Sequence, residues 1–129
     1  MDASDVSRRV AHDYVDRLER RDWAGLSDLL ADDVVYEIPQ TRERVRGRER
    51  LLRFNAEYPG DWHLVVRRIV ADGAAAALLL DFQVDAPGQR QDACVWLDVS
   101  EQGRITRIVD YWPEPYDPPP GREHLVERY

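Results

Sequence analysis

The first helix-length segment of the chain carries an apolar residue at every fourth position, with charged residues between them. Because an α-helix has 3.6 residues per turn, this spacing predicts an amphipathic helix over residues 4–21. Asp22 can then cap a second, shorter helix, and residues 47–58 favour a third. The predicted apolar stripe of the first helix consists of Val6, Val10, Tyr14 and Leu18.

The following segments are typical of β-strands. Residues 33–38 are mostly β-branched or aromatic, and Pro39 ends them. Four longer runs come next, and turn-forming residues separate them. Short connections indicate antiparallel neighbours, so we predict an α+β fold in which a curved, mostly antiparallel sheet wraps around the N-terminal helices. The runs cover residues 62–71, 74–85, 91–100 and 104–112, with turns at 71–73, Pro87-Gly88 and 101–103.

Two aspartates interrupt the apolar pattern of the predicted sheet. Alternation along the strands places Asp81 beside Leu79 on one strand and Asp110 beside Ile108 on the last one. We expect both carboxylates on inward faces, about 10 Å apart in the pairing direction because one strand separates theirs. A carboxylate in an apolar cavity has a raised pKa, so it can accept and donate protons near neutral pH. The alternative is that either aspartate lies on the solvent face.

Length and charge narrow the function classes. The 129 residues suffice for one domain, with a core over residues 6–113 and a proline-rich tail over residues 114–129. A net charge of −7 predicts neither a nucleic-acid nor a membrane partner. The sequence contains no membrane-length apolar run and no secretory signal pattern, which predicts a cytoplasmic protein. All 18 basic residues are arginine, so chemistry that depends on lysine, including the phosphate-binding P-loop, is excluded.

The remaining polar residues give no second catalytic motif. Six arginines lie within residues 41–53, but Glu43 and Glu49 are interleaved with them, which favours a solvated loop and helix face over a phosphate-binding patch. The three histidines have no metal-binding spacing, and Cys94 is the single cysteine. We therefore predict no metal and no cofactor.

Two longer strings resemble a known group of proteins. They are "YVDRLERRDWAGLSDLLADDVVYEIP", in the helix-helix-strand opening, and "GRITRIVDYWPE", in the closing strand. Both resemble the nuclear transport factor 2-like superfamily and, within it, the SnoaL-like polyketide cyclases, over about residues 6–113. The resemblance implies a cone-shaped roll with an internal cavity, and a homodimer formed through the outer face of the sheet, where Trp96 is expected. This superfamily contains isomerases, cyclases, epoxide hydrolases, dehydratases and binding domains.

The resemblance also suggests roles for individual residues. Asp110 matches the aspartate that SnoaL-like cyclases and limonene epoxide hydrolases use as a general acid or base. Asp81 resembles the second aspartate of those hydrolases. However, the arginine that they place two residues earlier falls on Leu79, and their asparagine falls on Ile38. Their tyrosine is kept as Tyr36, so the hydrolase pattern is incomplete.

Ketosteroid isomerases give a second comparison, and their neutral carboxylic acid is a standard illustration of an oxyanion hole. Tyr14 matches their oxyanion tyrosine. Their base aspartate corresponds to Ile38, and their neutral aspartic acid corresponds approximately to Val95. A steroid isomerase is therefore disfavoured, while Tyr14 and Tyr36 stay candidates for hydroxyl donors in the cavity, or for buried tyrosines that only pack.

The leading hypothesis is a cofactor-free cyclase or isomerase that acts on a small, apolar, polyketide-like carbonyl compound. Asp110 moves the proton, and Asp81, Tyr14 and Tyr36 are candidate donors. The first alternative is an epoxide hydrolase-like or dehydratase-like enzyme that uses both aspartates. The second is a non-catalytic module that binds a hydrophobic ligand or dimerises. The candidate substrate-binding residues are Ile38, Trp62, His63, Leu79, Gln83, Val95 and Trp112.

Overall fold

The computed structural model describes residues 2–84 and 90–129, in which three helices and six strands are found. The predicted turn at Pro87-Gly88 lies outside the described residues. The α+β class predicted from the sequence is confirmed. The elements are α1 (Ala3–Glu19), α2 (Trp23–Leu29), β1 (Leu30–Ile38), β2 (Glu43–Arg46), α3 (Arg48–Ala56), β3 (Trp62–Asp72), β4 (Ala75–Val84), β5 (Arg90–Val99) and β6 (Ile105–Tyr111).

The helices begin where short polar side chains can satisfy free backbone N–H groups. The carboxylate of Asp2 accepts from the backbone of Asp5 at 2.9 Å, and Asp22 accepts from the backbone of Gly25 at 3.0 Å, as predicted for the second helix. The predicted apolar stripe of α1 is turned toward the core: Tyr14 is 4% exposed, and its apolar neighbours on the stripe are similarly buried or pack against the core. The helical spacing of the N-terminal segment is therefore explained by packing against the sheet.

The sheet has the strand order β2-β1-β6-β5-β4-β3. Strands β3 to β6 form the predicted antiparallel meander, and β5 separates the strands of the two aspartates as expected. The first strand differs from the prediction, because β1 starts at Leu30 and pairs in parallel with β6, the last strand. The sheet is therefore mixed, and it brings together residues 74 positions apart in the chain, Tyr36 and Asp110.

The charged segment over residues 41–53 was expected to be loop and helix, and this was partly wrong. Its first part is β2, an edge strand that pairs with β1 through Tyr36 and Val45. Three of the four β2 residues are exposed charged side chains. Such a strand has no hydrophobic alternation, so period-two analysis did not detect it. The second part is α3, as predicted.

Side-chain hydrogen bonds attach α1 to the turn between β3 and β4. The Ser7 hydroxyl donates to the carbonyl of Gly73 at 2.8 Å, and the backbone N–H of Gly73 donates to the Ser4 hydroxyl at 2.8 Å. Gly73 has a φ of +57°, which favours glycine. The helix is thereby fixed along the concave side of the sheet, where the core lies.

The tail that follows Trp112 contributes little to this core. Its apolar residues Tyr116 and Leu125 are 86% and 77% exposed. The helical turn expected near its end is a single hydrogen-bonded turn, in which Leu125 donates to the carbonyl of Arg122 at 3.0 Å. Within the described part of the chain, no helix is long and apolar enough to cross a membrane.

Candidate active site

Asp110 lies on the concave face of β6, where its neighbours are apolar. It is opposite Val95 of β5, and its residue is only 6% exposed. The parallel pairing aligns Tyr36 of β1 with Ile108, so the tyrosine side chain reaches the next inward position of β6. Its hydroxyl donates to Oδ2 of Asp110 at 2.5 Å. The pairing of the first and last strands therefore creates a buried tyrosine–carboxylate contact.

The second oxygen of this carboxylate is available for chemistry. Within residues 2–84 and 90–129, no donor forms a hydrogen bond with the buried Oδ1 of Asp110. Burial raises the pKa of Asp110 to about 6, although the hydrogen bond that the Tyr36 hydroxyl donates favours the charged form. The carboxyl group therefore changes protonation close to neutral pH, as a general acid or base requires.

Two tyrosine hydroxyls accompany the carboxylate. Burial, followed by the negative charge of Asp110, raises the pKa of Tyr14 and the pKa of Tyr36 well above the ordinary value of 10. Both hydroxyls thus stay protonated at any physiological pH. They are suited to donate hydrogen bonds to a carboxylate or to a developing oxyanion.

A cavity of about 50 Å³ opens beside Asp110 and Tyr14. Since one water needs about 10–15 Å³ of such space, it has room for a few waters or for one end of an organic ligand. Its wall is largely a chain of rings in tilted or edge-to-face contact, with centroids 4.7–6.2 Å apart. In order of contact, the rings are Tyr36, Phe54, Tyr58, Phe82 and Trp112.

The cavity adjoins a wider outer groove of about 500 Å³. Four aromatic residues line both spaces, so they form the boundary between cavity and solvent: Tyr36, Phe54, Tyr58 and Trp112. Tyr58 is itself 42% exposed, directly after the C-terminal end of α3. A ligand that enters from the groove therefore passes between aromatic side chains before it meets Asp110.

Arg21 holds another wall of the cavity in place. Its guanidinium carbon lies 3.4 Å from the ring centroid of Trp62, which lines the cavity. The same guanidinium donates to the carbonyls of Leu18 and Glu19 at the end of α1, and to the carbonyl of Trp62 itself. One arginine thus connects the helix end to the start of β3 and fixes the orientation of the indole ring.

The structure places Asp81 away from this cavity, which corrects the expectation of two inward aspartates. On β4 the buried positions are Leu78, Leu80 and Phe82, so the neighbouring odd-numbered residues face outward. Asp81 is in an ion pair with Arg67 at 3.6 Å on the outer face. The sequence did not settle the parity because both faces of β4 carry leucines.

Three predicted binding residues lie outside the cavity with Asp81. Leu79 is 38% exposed on the outer face of β4, and Gln83 occupies the same face further along the strand. His63 is half exposed; its two ring nitrogens lie 2.9 Å from Glu19 and 3.2 Å from Asp61. The hydrogen bond and the negative charge of Glu19, followed by Asp61, raise the pKa of His63. His63 therefore belongs to a surface cluster of charges and does not line the cavity.

The other predicted residues gather around Asp110. The cavity is lined by Tyr14, Tyr36, Trp62, Val95 and Trp112, while Ile38 lines the outer groove.

Sequence reasoning missed the contribution of α3 to the site. Phe54, Asn55 and Tyr58 line the cavity, and all three fall within the helix predicted over residues 47–58. The available signal was the spacing of Phe54 and Tyr58, four residues apart, which places two rings on one side of a helix.

Comparison with known proteins agrees with this geometry. The sequence profile of the SnoaL-like domain family matches residues 11–108, about three quarters of the chain. This chain belongs to the SnoaL-like domain family. The resemblance found in the sequence is therefore confirmed. A search of curated proteins with this chain found no match.

Solved structures extend the relationship. A "putative ketosteroid isomerase" from Kribbella flavida is 48% identical, with a TM-score of 0.93 over 100% of this chain and 93% of that chain. An NTF2-like protein from Burkholderia xenovorans, 20% identical, has the same fold over 98% of both chains, with a TM-score of 0.78. An LEH-like epoxide hydrolase from M. tuberculosis is 25% identical, with a TM-score of 0.73 over 85% of this chain and 84% of that chain. The SnoaL-like domain therefore has an NTF2-like fold.

Proposed function

We propose that this SnoaL-like domain is a proton-transfer enzyme, a cyclase or isomerase that acts on a small, apolar, polyketide-like carbonyl compound without a cofactor. The observation that carries the proposal is the buried carboxylate of Asp110, with one oxygen held by Tyr36 and the other free beside an aromatic cavity. With a pKa of about 6, this group is largely a carboxylate at pH 7 and can act as a base.

In the proposed cycle, Oδ1 of Asp110 removes a proton from the carbon next to the substrate carbonyl. The electron pair of the broken C–H bond forms the enolate, whose oxygen accepts a hydrogen bond from the protonated Tyr14. Protonated Asp110 then returns the proton. In an isomerisation the proton goes to the γ carbon as the double bond moves. In a cyclisation the enolate carbon attacks a second carbonyl, and the proton goes to the new alkoxide.

Tyr36 has a positioning role in this scheme. Its hydroxyl holds Oδ2 of Asp110, which fixes the carboxylate and leaves Oδ1 toward the substrate. A hydrogen bond to the charged form also limits the rise of the Asp110 pKa.

A hydrolase that uses two aspartates is less compatible with this geometry. Such an enzyme needs a second carboxylate near the same water, but Asp81 lies on the opposite face of the sheet, paired with Arg67. The inward positions of β4 nearest to it are Leu80 and Phe82. The cyclase or isomerase reaction needs one carboxylate only, and Asp110 is the one carboxylate among the described residues that line the inner cavity.

The proposal is tested with 3-cyclohexen-1-one, whose conversion to the conjugated 2-isomer moves a proton from the α to the γ carbon and is followed by ultraviolet absorbance. A second readout is α-deuterium incorporation from D₂O into 4′-tert-butylacetophenone, followed by NMR. We expect catalysis of at least one reaction by the native protein and its loss in Asp110→Asn. If both ketones bind and leave unaltered, the domain is a binding module and the proposed activity is wrong.

We also propose that the outer face of the sheet forms a homodimer. Trp96 is 51% exposed at the centre of that face, where it is aligned with Ala77 and Val109 on the neighbouring strands. An exposed tryptophan among apolar neighbours is typical of an interface. Sedimentation is expected to give a dimer for the native chain and a monomer for Trp96→Glu, whereas Val126→Glu in the exposed tail stays dimeric. A monomeric native chain contradicts the proposal.

A further inference from the structure

The outer groove that leads to Asp110 is lined by acidic residues. Glu43, Glu57 and Glu114 line it, together with neutral polar and aromatic side chains. Glu43 belongs to β2, Glu57 ends α3, and Glu114 follows β6, so three separate elements contribute negative charge to one space. The groove is therefore acidic by virtue of the fold and not of a single charged segment.

No positively charged side chain of the described residues lines either the groove or the inner cavity. One of the three glutamates is partly compensated, because Glu57 pairs with Arg53 at 3.0 Å, where both side chains are mostly exposed. Arg42 and Arg90 are sequence neighbours of lining residues but do not line the groove. The carbonyl end of α3 also points its partial negative charge toward this region, since Glu57 is the C-cap.

A second observation links the groove to a ligand. Asp110 is only 6% exposed, and its Oδ1 has no hydrogen-bond partner in the described chain. The cavity that it lines shares Tyr36, Tyr58 and Trp112 with the groove. A ligand that reaches Oδ1 from the groove thus has its far end among the three glutamates.

We propose that the substrate is an amphiphilic ketone with a cationic ammonium group at the end opposite the reacting carbonyl, and that the acidic groove selects for that group and against carboxylates and phosphates. This inference rests on the proposed function for the orientation of the carbonyl. The apolar carbonyl end occupies the aromatic cavity, and the ammonium group lies near Glu43 and Glu114. The same charges disfavour anionic carriers such as nucleotide-linked thioesters.

Elementary electrostatics sets the expected size of the selection. The glutamates are solvent-exposed, so each contributes weakly, and two or three together change an affinity by about fivefold to tenfold at low ionic strength. The effect falls in about 1 M salt, where the Debye length is about 3 Å. Apolar contacts do not weaken in this way, which separates the two contributions.

The test uses three ketones of similar shape: (4-acetylphenyl)trimethylammonium, 4′-tert-butylacetophenone and 4-acetylbenzoate. The first two are isosteric and differ in charge alone. Dissociation constants are measured in low and high salt through the change in tryptophan fluorescence on binding, since Trp62 and Trp112 line the cavity. We expect the ammonium ketone to bind about fivefold to tenfold more tightly than the tert-butyl ketone at low salt, and the carboxylate to bind most weakly.

Matched variants locate the effect. Glu43→Gln with Glu114→Gln removes two charges from the groove and is expected to abolish most of the preference. Asp72→Asn with Glu101→Gln removes two exposed charges at the opposite end of the sheet and is expected to preserve it.

The outcomes separate this inference from the proposed function. Equal affinities for the three ketones, or a preference unchanged in the groove variant, overturn the cationic substrate class while α-proton exchange can still be observed. The other outcome is that the three ketones bind in the expected order of charge, but that none exchanges its α-protons faster than in buffer. This result overturns the proton-transfer function and retains the acidic groove as the selecting element.

Discussion

The two aspartates Asp110 and Asp81 belong to the same sheet, with one strand between theirs, yet their surroundings are opposite. Asp110 is buried on the concave face and bonded to a tyrosine hydroxyl. Asp81 lies on the convex face beside Arg67, which also contacts Asp92 at 3.3 Å. The residue type is identical, so the difference in chemistry comes from strand parity. A carboxylate becomes an acid–base group when it loses water without gaining a cation.

The largest expected difference between the two aspartates is in activity. Asp110→Asn removes the proposed base, and we expect the rate of α-proton transfer to fall by about 10²–10⁴-fold. Asp81→Asn changes neither the cavity nor its charge and is expected to stay within about twofold of the native rate. The check is kcat/KM for both variants on one ketone. Comparable losses would place Asp81 in the mechanism after all.

The second difference is in the pH dependence of stability. The pKa of Asp110 is raised on folding, so its contribution to stability is complete below the unfolded pKa and is lost as the pH rises through about 6. Asp110→Asn, which cannot ionise, is thus expected to be more stable than the native chain by about 3 kcal/mol at pH 8 and nearly equal to it at pH 3.5.

Urea unfolding of both proteins across this pH range measures how far their free energies of unfolding diverge. An Asp110→Asn chain that is less stable at pH 8 would mean that the buried charge is better compensated than its contacts indicate.

A smaller effect is expected from the tyrosine that holds Asp110. Tyr36→Phe removes a donor that favours the charged carboxylate, so the pKa of Asp110 rises further. The midpoint of the pH–rate profile is expected to move upward by about one pH unit, the size of one charge-assisted hydrogen bond. Tyr111→Phe, on the outward side of the same strand, is the control. A profile that moves equally in both variants rules out this role for Tyr36.

The smallest effect concerns the outer ion pair. Arg67→Gln removes the partner of Asp81, but the Arg67 side chain is 51% exposed. We expect a loss of less than about 0.5 kcal/mol in the free energy of unfolding and no change in the ketone assay. A larger loss in urea unfolding would show that this face is more tightly packed than its exposure suggests.

Much of the fold could be predicted because its signals are local. The period of four in α1 and the turns between the long strands were sufficient for the α+β class and the meander. The long-range pairing of β1 with β6 could not be predicted, since no local pattern encodes a parallel neighbour. A bulge between Asp98 and Val99 also moves Thr106 to the exposed side, although strict alternation had placed it with Ile108.

The site was predictable where a polar residue interrupted a clear apolar row. Asp110 lies in the row of Ile108 and Trp112, and this row faces the core as alternation had suggested, although Val109 makes the other face of the strand partly apolar as well. Around Asp81 the run Leu78-Leu79-Leu80 gives both faces the same composition, and the prediction was wrong for the whole outer row. Residues of α3 reach the cavity through tertiary packing, which periodicity alone does not reveal.

The pairing of β1 with β6 has a consequence for how the protein is made. Tyr36 and Asp110 meet only after the last strand has been synthesised and inserted between β1 and β5. Contacts between such distant segments slow folding, because a long loop must close before they form. A nascent chain that has completed its helices and first five strands therefore has most of the aromatic wall but lacks the proposed proton acceptor. Until β6 joins the sheet, Asp110 is not held beside Tyr36, so partly folded forms without β6 are not expected to carry out the proposed proton transfer.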